Sequence, residues 1–208
     1  VAPGQIYNSN RYALSAMLRN MGMKVIDLGI VADTPEATEQ ALMDAASLAD
    51  CILTSGGVSV GEEDHVKAAV EKLGKLELWK LSIKPGKPLA YGEVQGVPFF
   101  GLPGNPVSTF VTFHIIARQY LLAMQGRGDY KPFCVTGVSD FSFKGGGRRE
   151  YLRVQIQNIE GQTRLSKFPN QGSGIMTSVV WADALAMVEA GQVVQPGDRL
   201  TIYPLALC

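Results

Sequence analysis

The order of helix and strand patterns along the chain constrains its fold more than any other feature. Apolar residues at helical spacing alternate with short β-like runs through the first part of the sequence. The predicted helices include "NSNRYALSAMLRNMG", "DTPEATEQALMDAASLAD" and "EDHVKAAVEKLG", and the predicted strands include "KVIDLGI", "CILTS", "ELWKL" and a pair around Gly96, "PLAYGEV" and "VPFFGL". Asp33 or Thr34 can cap the second helix, with Pro35 at its first position. This alternation predicts an α/β fold with a mostly parallel sheet flanked by helices.

The pattern changes after "GRGDYKP". From there on the chain has short β-like runs separated by glycine turns such as "KGGGRR" and "QPGD". Such a pattern predicts a small all-β domain, a barrel or a sandwich. We place the boundary near Asp129, so that residues 1–129 form the α/β domain and residues 130–208 form the β domain.

Composition and charge exclude several classes of function. Lysine plus arginine and aspartate plus glutamate both number 19, so the zero net charge gives no reason to expect nucleic-acid or membrane-surface binding. No apolar run reaches the roughly 18 residues of a membrane span, and the first residues do not have the pattern of a signal peptide. The three cysteines are far apart and the histidines number only two, so zinc spacing is absent and a reducing cytoplasm is expected.

The first stretch that could bind a ligand or take part in catalysis is "TSGGVSVGEEDHV", directly after a predicted strand. In open α/β sheets, ligands bind beyond the carboxyl ends of the strands. Gly56 and Gly57 let the backbone turn tightly, and free amides in such a turn can hold an anion. Ser59 adds a hydroxyl group, and Asp64 begins the next helix. A plain glycine turn followed by an acidic helix cap is the alternative.

The second stretch is "WKLSIKPGKPLAYG", in which Lys80, Lys84 and Lys87 lie within eight residues. Proline restricts the backbone, so the last two lysines are presented by a stiffened turn. Three cations on one turn suit an oxyanion. A solvated hairpin with ordinary surface lysines is the alternative.

The third stretch, "GLPGNPVS", precedes a long apolar helix pattern. Asn105 can cap that helix, and Pro106 is suited to its first turn. Gly104, after Pro103, allows close backbone approach, and Ser108 lies in the first turn, where free amides and the helix dipole favour a negative ligand. A well-capped core helix is the alternative. Because all three stretches follow or adjoin predicted strands, we expect the three loops to converge on one cleft.

Taken in this order, the three stretches resemble those of the molybdopterin molybdenumtransferases, the family of MoeA and the gephyrin E domain. "GQIYNSNRYALSAML" and the later "NQGSG" segment are similar to the family too, so the resemblance covers essentially the whole chain. It implies an enzyme that inserts molybdenum from molybdate into molybdopterin, with hydrolysis of the adenylylated pterin and help from Mg²⁺. It also implies a homodimer for the full-length protein. Family members carry two further domains before this region, so we expect a fragment or a short relative.

The resemblance assigns roles to individual residues. Asp64 matches the acidic residue associated with catalysis and with the cation, while Asp33 and Lys80 match further catalytic positions, as does Lys84. The positions that match substrate-binding residues are Gly56, Gly57, Ser59, Lys84, Lys87, Pro88, Pro103, Gly104, Asn105, Pro106, Ser108, Arg148 and Ser173.

Three other functions compete with the transferase. The first is a non-catalytic scaffold that binds receptors, as gephyrin does, and the second is an inactive fragment of a longer enzyme. The third is a competence-damage type protein that acts on a nucleotide, but that class lacks the combination of "KPGKP" and "GLPGNPVS". The presence of the lysines and Asp64 favours the enzyme.

Overall fold

The structure, a computed structural model, describes residues 8–57 and 65–205. Packing divides the chain into two units, and each unit takes its residues from more than one segment of the sequence. The first unit comprises Val1–Leu81 and Pro88–Phe110, and the second comprises Ser82–Lys87 and Val111–Cys208. Because the segments of the two packing units alternate along the sequence, they do not test a single boundary at Asp129, which stays a prediction.

The first unit has three described helices before its last strands. They are α1 (Ser9–Asn20), α2 (Pro35–Leu48) and α3 (His65–Leu73). The Thr34 hydroxyl accepts a hydrogen bond from the Ala37 amide, so Thr34 is the cap of α2 and Pro35 is its first residue, as the sequence allowed. All three helices lie within predicted helical segments.

A mixed four-stranded sheet lies with these helices in the first unit. Its described strands, in spatial order, are β1 (Ile52–Ser55), β5 (Val97–Leu102), β4 (Pro88–Val94) and β2 (Gly74–Lys80). β1 and β5 are parallel, and the other two pairings are antiparallel. The predicted hairpin around Gly96 is confirmed, with Gln95 and Gly96 at φ values of 50° and 83° in the turn. The mostly parallel arrangement is not seen in the described strands.

One predicted strand is wrong. Residues 24–30 form no strand, and most of them are exposed. The Asp27 carboxylate accepts a hydrogen bond from the Gly29 amide, and Gly29 has a φ of 82°. The Gly29 amide, together with Arg11, holds the pKa of Asp27 below its usual value. This local turn competes with an extended backbone, which explains why the apolar alternation of the segment did not produce a strand.

The helix after β5 runs without a break into the second unit. It comprises α4 (Pro106–Thr112), a π-helical turn at Phe113–Ala117, and α5 (Arg118–Met124). His114 lies in the π-helical turn with its ring at the edge of the Phe113 ring, 5.7 Å between centroids. Burial, and then the nearby Arg118, lowers the pKa of His114 to about 4. The histidine is therefore neutral in the folded protein at neutral pH. Of the helices in the described part of the chain, none combines the length and apolar character needed to cross a bilayer.

The second unit contains a closed β-barrel, which confirms the predicted small barrel. Each barrel strand pairs with the next, and the last pairs with the first. In this order the strands are β10 (Ala184–Val188), β12 (Arg199–Pro204), β6 (Val135–Ser139), β9 (Gln162–Lys167) and β8 (Arg149–Ile159). Fully buried side chains such as Leu165 and Ile202 form the core of this unit.

Three short strands and one short helix complete the second unit. They are β3 (Ile83–Lys84), β7 (Phe143–Lys144), β11 (Val193–Val194) and α6 (Thr177–Trp181). β7 pairs with β11, and β3 pairs in parallel with the beginning of β8. The segment that contains Lys84 therefore adds a strand to the sheet of the second unit, although it lies in the sequence between β2 and β4 of the first.

The sheet of the first unit makes a direct test possible at Gly92. A Cβ atom there would lie 2.1 Å from the Lys75 carbonyl oxygen on the paired strand, so no side-chain movement could relieve the clash. We expect Gly92→Ala to lower the free energy of unfolding by at least ~2 kcal/mol. Gly128→Ala is the matched control, because a Cβ at Gly128 has nothing within 4 Å. Urea unfolding curves that coincide for the two variants would contradict this strand pairing.

The buried His114 predicts a dependence of stability on pH. Its folded pKa of about 4 lies below the unfolded value of 6.5, so the unfolded chain binds more protons between these values. Stability should therefore rise with pH from about 4 to 6.5, and His114 should account for about 3 kcal/mol of the difference. Chemical unfolding of wild type and His114→Gln across this range measures the effect. If the free energy of unfolding changed with pH by the same amount in both proteins, His114 would not titrate as described.

Candidate functional site

Two of the three predicted loops meet at one edge of the sheet in the first unit. Because β1 and β5 are parallel, Gly56 after β1 and Gly104 after β5 leave the sheet at the same edge. The Gly56 amide donates a hydrogen bond to the Leu102 carbonyl oxygen at 3.0 Å. A Cβ added to Gly104 would lie 3.7 Å from the Gly56 Cα. The backbones of the two loops therefore lie close enough that a single added methyl group would bridge them.

Asn10 fastens both loops to α1. Its side chain lies in the buried surface, with the residue only 8% exposed. The amide nitrogen donates to the Ser55 hydroxyl at 2.6 Å and to the Gly104 carbonyl oxygen at 2.7 Å. One carboxamide thus connects the N-terminal helix, the end of β1 and the loop after β5. No role for Asn10 was predicted from the sequence, although its spacing of four from the buried Leu14 puts this polar residue on the buried face of α1.

One buried oxygen atom at this junction, the carboxamide oxygen of Asn10, has no hydrogen-bond partner in the described residues. Buried polar groups are rarely left unpaired, so such an atom indicates a place where a ligand or a solvent molecule completes the structure. A carboxamide oxygen accepts hydrogen bonds, whereas the Gly56 amide is already bonded to the Leu102 carbonyl oxygen. The junction therefore offers a free acceptor beside the glycine loops.

Lys80 and Pro88 lie at the same edge as the glycine loops. Strand register pairs Lys80 at the end of β2 with Pro88 at the beginning of β4, and Ala90 of β4 pairs with Gly101 of β5. Both antiparallel pairings bring these chain ends to the edge where β5 ends. Lys80 is exposed and Pro88 is half-buried. The edge thus carries one predicted catalytic lysine beside the loops.

The turn before α4 is closed by hydroxyl hydrogen bonds. The Thr109 hydroxyl donates to the Pro103 carbonyl oxygen and contacts the Asn105 carbonyl oxygen at 3.1 Å. Helix α4 begins at Pro106, as the sequence predicted. Ser108 is only 5% exposed, so its hydroxyl lies within the packed turn. Its predicted contact with an oxyanion stays a prediction.

The second unit brings together Lys84 and Arg148. The Arg148 guanidinium donates to the Ile83 carbonyl oxygen at 2.9 Å, and the Arg149 amide donates to the Ser82 carbonyl oxygen at 3.1 Å. The Lys84 ammonium lies 3.1 Å from the Glu150 carboxylate. Two cations that were predicted from the sequence to bind substrate are thus held near each other, Lys84 on β3 and Arg148 directly before β8. Lys87 is exposed.

The "NQGSG" segment that contains Ser173 is anchored by a buried cation. Arg153 is 0% exposed, and its guanidinium donates to the Ser178 hydroxyl at 3.1 Å and to the Gly172 carbonyl oxygen at 3.1 Å. The Gln171 carboxamide accepts a hydrogen bond from the Arg153 amide and donates one to the Arg153 carbonyl oxygen. Burial lowers the pKa of Arg153 to about 10, so the group stays charged at neutral pH.

Arg153 was not predicted from the sequence, where Arg148 was considered instead. The available signal was a cation in the middle of the apolar strand pattern "EYLRVQIQ". Arg153 makes no ion pair in the described part of the chain, because every partner it has there is neutral. It fixes the loop around Ser173 through hydrogen bonds alone.

Some predicted site residues lie elsewhere or outside the described residues. Ser59 and Asp64 fall in the gap between residues 57 and 65. Asp33 is exposed and precedes the cap of α2. Within residues 8–57 and 65–205, no three His, Cys, Asp or Glu side chains are grouped as a metal ion could need. The roles of Asp33 and Asp64, and the magnesium ion assigned to Asp64, stay predictions.

The comparison with known proteins agrees with this architecture. Residues 1–123 match the family described as "Probable molybdopterin binding domain", and residues 138–205 match the "MoeA C-terminal region (domain IV)". The chain belongs to the MoeA family. A solved MoeA protein from Pyrococcus horikoshii superimposes on it with a TM-score of 0.80 at 28% identity, over 98% of this chain and 49% of that one.

Curated relatives of this MoeA-family chain carry names from molybdenum cofactor synthesis. The "Molybdopterin molybdenumtransferase" of Haemophilus influenzae is 38% identical over 205 residues, which is 97% of this chain and 51% of that protein. The "Molybdenum cofactor synthesis protein cinnamon" of Drosophila melanogaster is 33% identical over 195 residues, 91% of this chain and 32% of that protein. The chain thus spans about half the length or less of these relatives.

The role of Asn10 can be tested by substitution. Asn10→Ala removes both hydrogen bonds that join α1 to the glycine loops, and we expect a loss of about 1–3 kcal/mol in the free energy of unfolding. Amide hydrogen exchange at Gly56 and Gly104 should accelerate. Asn20→Ala, at the exposed end of the same helix, is the control. Equal exchange rates at the two glycines in both variants would show that Asn10 does not hold the loops.

Proposed function

We propose that this MoeA-family chain carries the molybdopterin- and molybdate-binding part of a molybdopterin molybdenumtransferase. The reaction is the insertion of molybdenum from molybdate into molybdopterin, with hydrolysis of the adenylylated pterin. The observation that carries the proposal is the junction of the two glycine loops, which Asn10 fastens beside Lys80 at one edge of the sheet. The names of the Haemophilus and Drosophila relatives support the same function.

The chemistry of the junction suits a phosphorylated pterin. The Gly57 and Gly104 amides and the start of α4 offer donors to phosphate oxygens. The unpaired oxygen of Asn10 suits an N–H group of a pterin ring. The substrate-binding residues of the proposal in the first unit are Gly56, Gly57, Ser59, Pro88, Pro103, Gly104, Asn105, Pro106 and Ser108.

The oxyanion is assigned to the cations of the second unit. Molybdate is a compact dianion, and fixed cations with hydrogen-bond donors are the groups that bind such an ion. Lys84, Lys87 and Arg148 supply them, with Ser173 as a further contact. Asp33, Lys80 and Lys84 complete the proposed catalytic set with Asp64. Mg²⁺ enters the proposal only through Asp64, so oxyanion binding by the lysines does not depend on it.

The proposal extends to a homodimer of the full-length protein in the cytoplasm. A scaffold of the gephyrin type is not favoured, because the curated relatives described above are named for cofactor synthesis or for the transferase itself.

Two proteins test the function. One is the chain by itself, and the other joins it to the half of the Haemophilus protein that it does not match. We expect both to bind molybdopterin, and the joined protein to form molybdenum cofactor from molybdate and adenylylated molybdopterin. A folded joined protein that binds no pterin would contradict the proposal. Binding of a receptor peptide without pterin binding would favour the scaffold.

Lys87 gives a test specific to the oxyanion. Its side chain is exposed and makes no ion pair in the described part of the chain, so its removal should leave folding intact. Charge-assisted contacts contribute about 1.5–3 kcal/mol, so Lys87→Ala should raise the half-saturating molybdate concentration roughly 10- to 100-fold. Pterin affinity should change less. Lys131→Ala, at an exposed lysine, is the control. An unchanged molybdate dependence would remove Lys87 from the site.

A further inference from the structure

Glu150 is a buried carboxylate at the beginning of β8. Its side chain is 5% exposed, whereas the Lys84 side chain paired with it is 52% exposed. One carboxylate oxygen accepts a hydrogen bond from the Gly146 amide at 2.8 Å, and the other lies 3.1 Å from the Lys84 ammonium. The ammonium therefore has one side against a buried negative charge and another side toward solvent.

Strand register and a glycine loop build this pair into the second unit. Parallel pairing of β3 with β8 sets Lys84 beside Glu150, and antiparallel pairing sets Glu150 beside Val188 of β10. A Cβ on Gly146 would lie 3.2 Å from a Glu150 carboxylate oxygen, so the loop wraps closely around the carboxylate. The ion pair is thus fixed by backbone structure on both sides, unlike a pair between two mobile surface side chains.

The nearest other cations are engaged elsewhere. Arg148 donates to the Ile83 carbonyl oxygen, and Arg149 makes two hydrogen bonds to the Glu189 carboxylate, at 3.0 Å and 2.9 Å. Within the described residues, Lys84 is accordingly the one cation that balances Glu150.

We propose that Glu150 is a positioning residue that holds the Lys84 ammonium and competes with the bound oxyanion for it. This proposal rests on the proposed function, in which Lys84 binds molybdate. A lysine ammonium has three N–H donors, so it can donate to Glu150 and still reach an anion. The carboxylate repels that anion, however, and so lowers its affinity. Glu150 thereby keeps the site weak enough for molybdate to leave it during transfer to the dithiolene.

Magnitudes decide the direction of the effect. A unit charge about 5 Å from a dianion changes its binding constant by about an order of magnitude at the dielectric of bulk water, and by several orders at the lower effective dielectric near a protein surface. Freeing the lysine side chain to move costs less, because complete immobilisation of a lysine is worth a factor of about 10 to 30 and Lys84, which is half exposed, is only partly immobilised. Loss of the Glu150 charge should therefore strengthen oxyanion binding, although Lys84 is then held less firmly.

Glu150→Gln tests the proposal, because glutamine keeps the size of the side chain and an acceptor for the Gly146 amide. In the protein joined to the Haemophilus half, we expect the half-saturating molybdate concentration to fall about tenfold while kcat does not rise. Glu150→Asp keeps the charge and should return the molybdate dependence toward that of wild type. If Glu150 were needed only for folding, any change in KM for molybdate would be accompanied by a change in the melting temperature.

A second measurement does not depend on activity. Acetylation of Lys84 with acetic anhydride, followed by mass spectrometry at increasing molybdate, gives the concentration that protects the amine, with Lys131 as the internal reference. We expect protection of Lys84 at about tenfold less molybdate in Glu150→Gln than in wild type. Equal midpoints in two proteins that melt alike would overturn the role of Glu150 alone. Absence of protection in both would overturn the oxyanion assignment of Lys84, and the role of Glu150 with it.

The pair also predicts how the lysine variant behaves. Lys84→Met leaves the Glu150 carboxylate buried without its cation, so its melting temperature should fall by several degrees. Adding Glu150→Gln should restore most of the loss, and the double variant can then be used to measure the molybdate dependence without Lys84. No rescue by Glu150→Gln would show that the two side chains do not interact, and would overturn the proposal.

Discussion

The parallel pairing of β1 with β5 is the constraint on which the candidate site of the first unit depends. It brings the two glycine loops to the same edge, and the two antiparallel pairings add Lys80 and Pro88 there. The Asn10 carboxamide then joins the loops to α1. One backbone pairing and one side chain thus fix Gly56 and Gly104 beside each other, although glycine itself restricts the backbone little.

Features that depend on neighbouring residues could be predicted from the sequence. The helices, the Thr34 cap of α2, the hairpin at Gly96 and the barrel all have local signals in residue spacing and turn chemistry. The glycine loops and the lysine turn were recognised for the same reason. The strand predicted at residues 24–30 is absent because the Asp27 side chain forms a turn with Gly29, and this turn competes with the extended backbone that the apolar alternation favours.

Features that depend on distant residues could not be predicted. Asn10 contacts Ser55 and Gly104, which are far from it in sequence, so its role appears only in the folded chain. Arg153 and Glu150 are both charged and buried, against the usual preference of such residues for solvent. Arg153 donates to neutral acceptors, whereas Glu150 is balanced by Lys84. Arg153 holds the "NQGSG" segment and Glu150 holds the "KGGGRR" turn, and both segments were singled out in the sequence.

The pairing of β3 with β8 has a consequence for the order in which the protein is made. The β3 segment leaves the ribosome well before β8, so its strand-forming groups wait unpaired while the helix after β5 and the first barrel strand are synthesised. Cutting the chain at the predicted boundary near Asp129 would put β3 and β8 on separate polypeptides. Any attempt to express the second unit by itself therefore needs Ser82–Lys87 grafted onto it, since β3, the extra strand beside β8, would otherwise be missing.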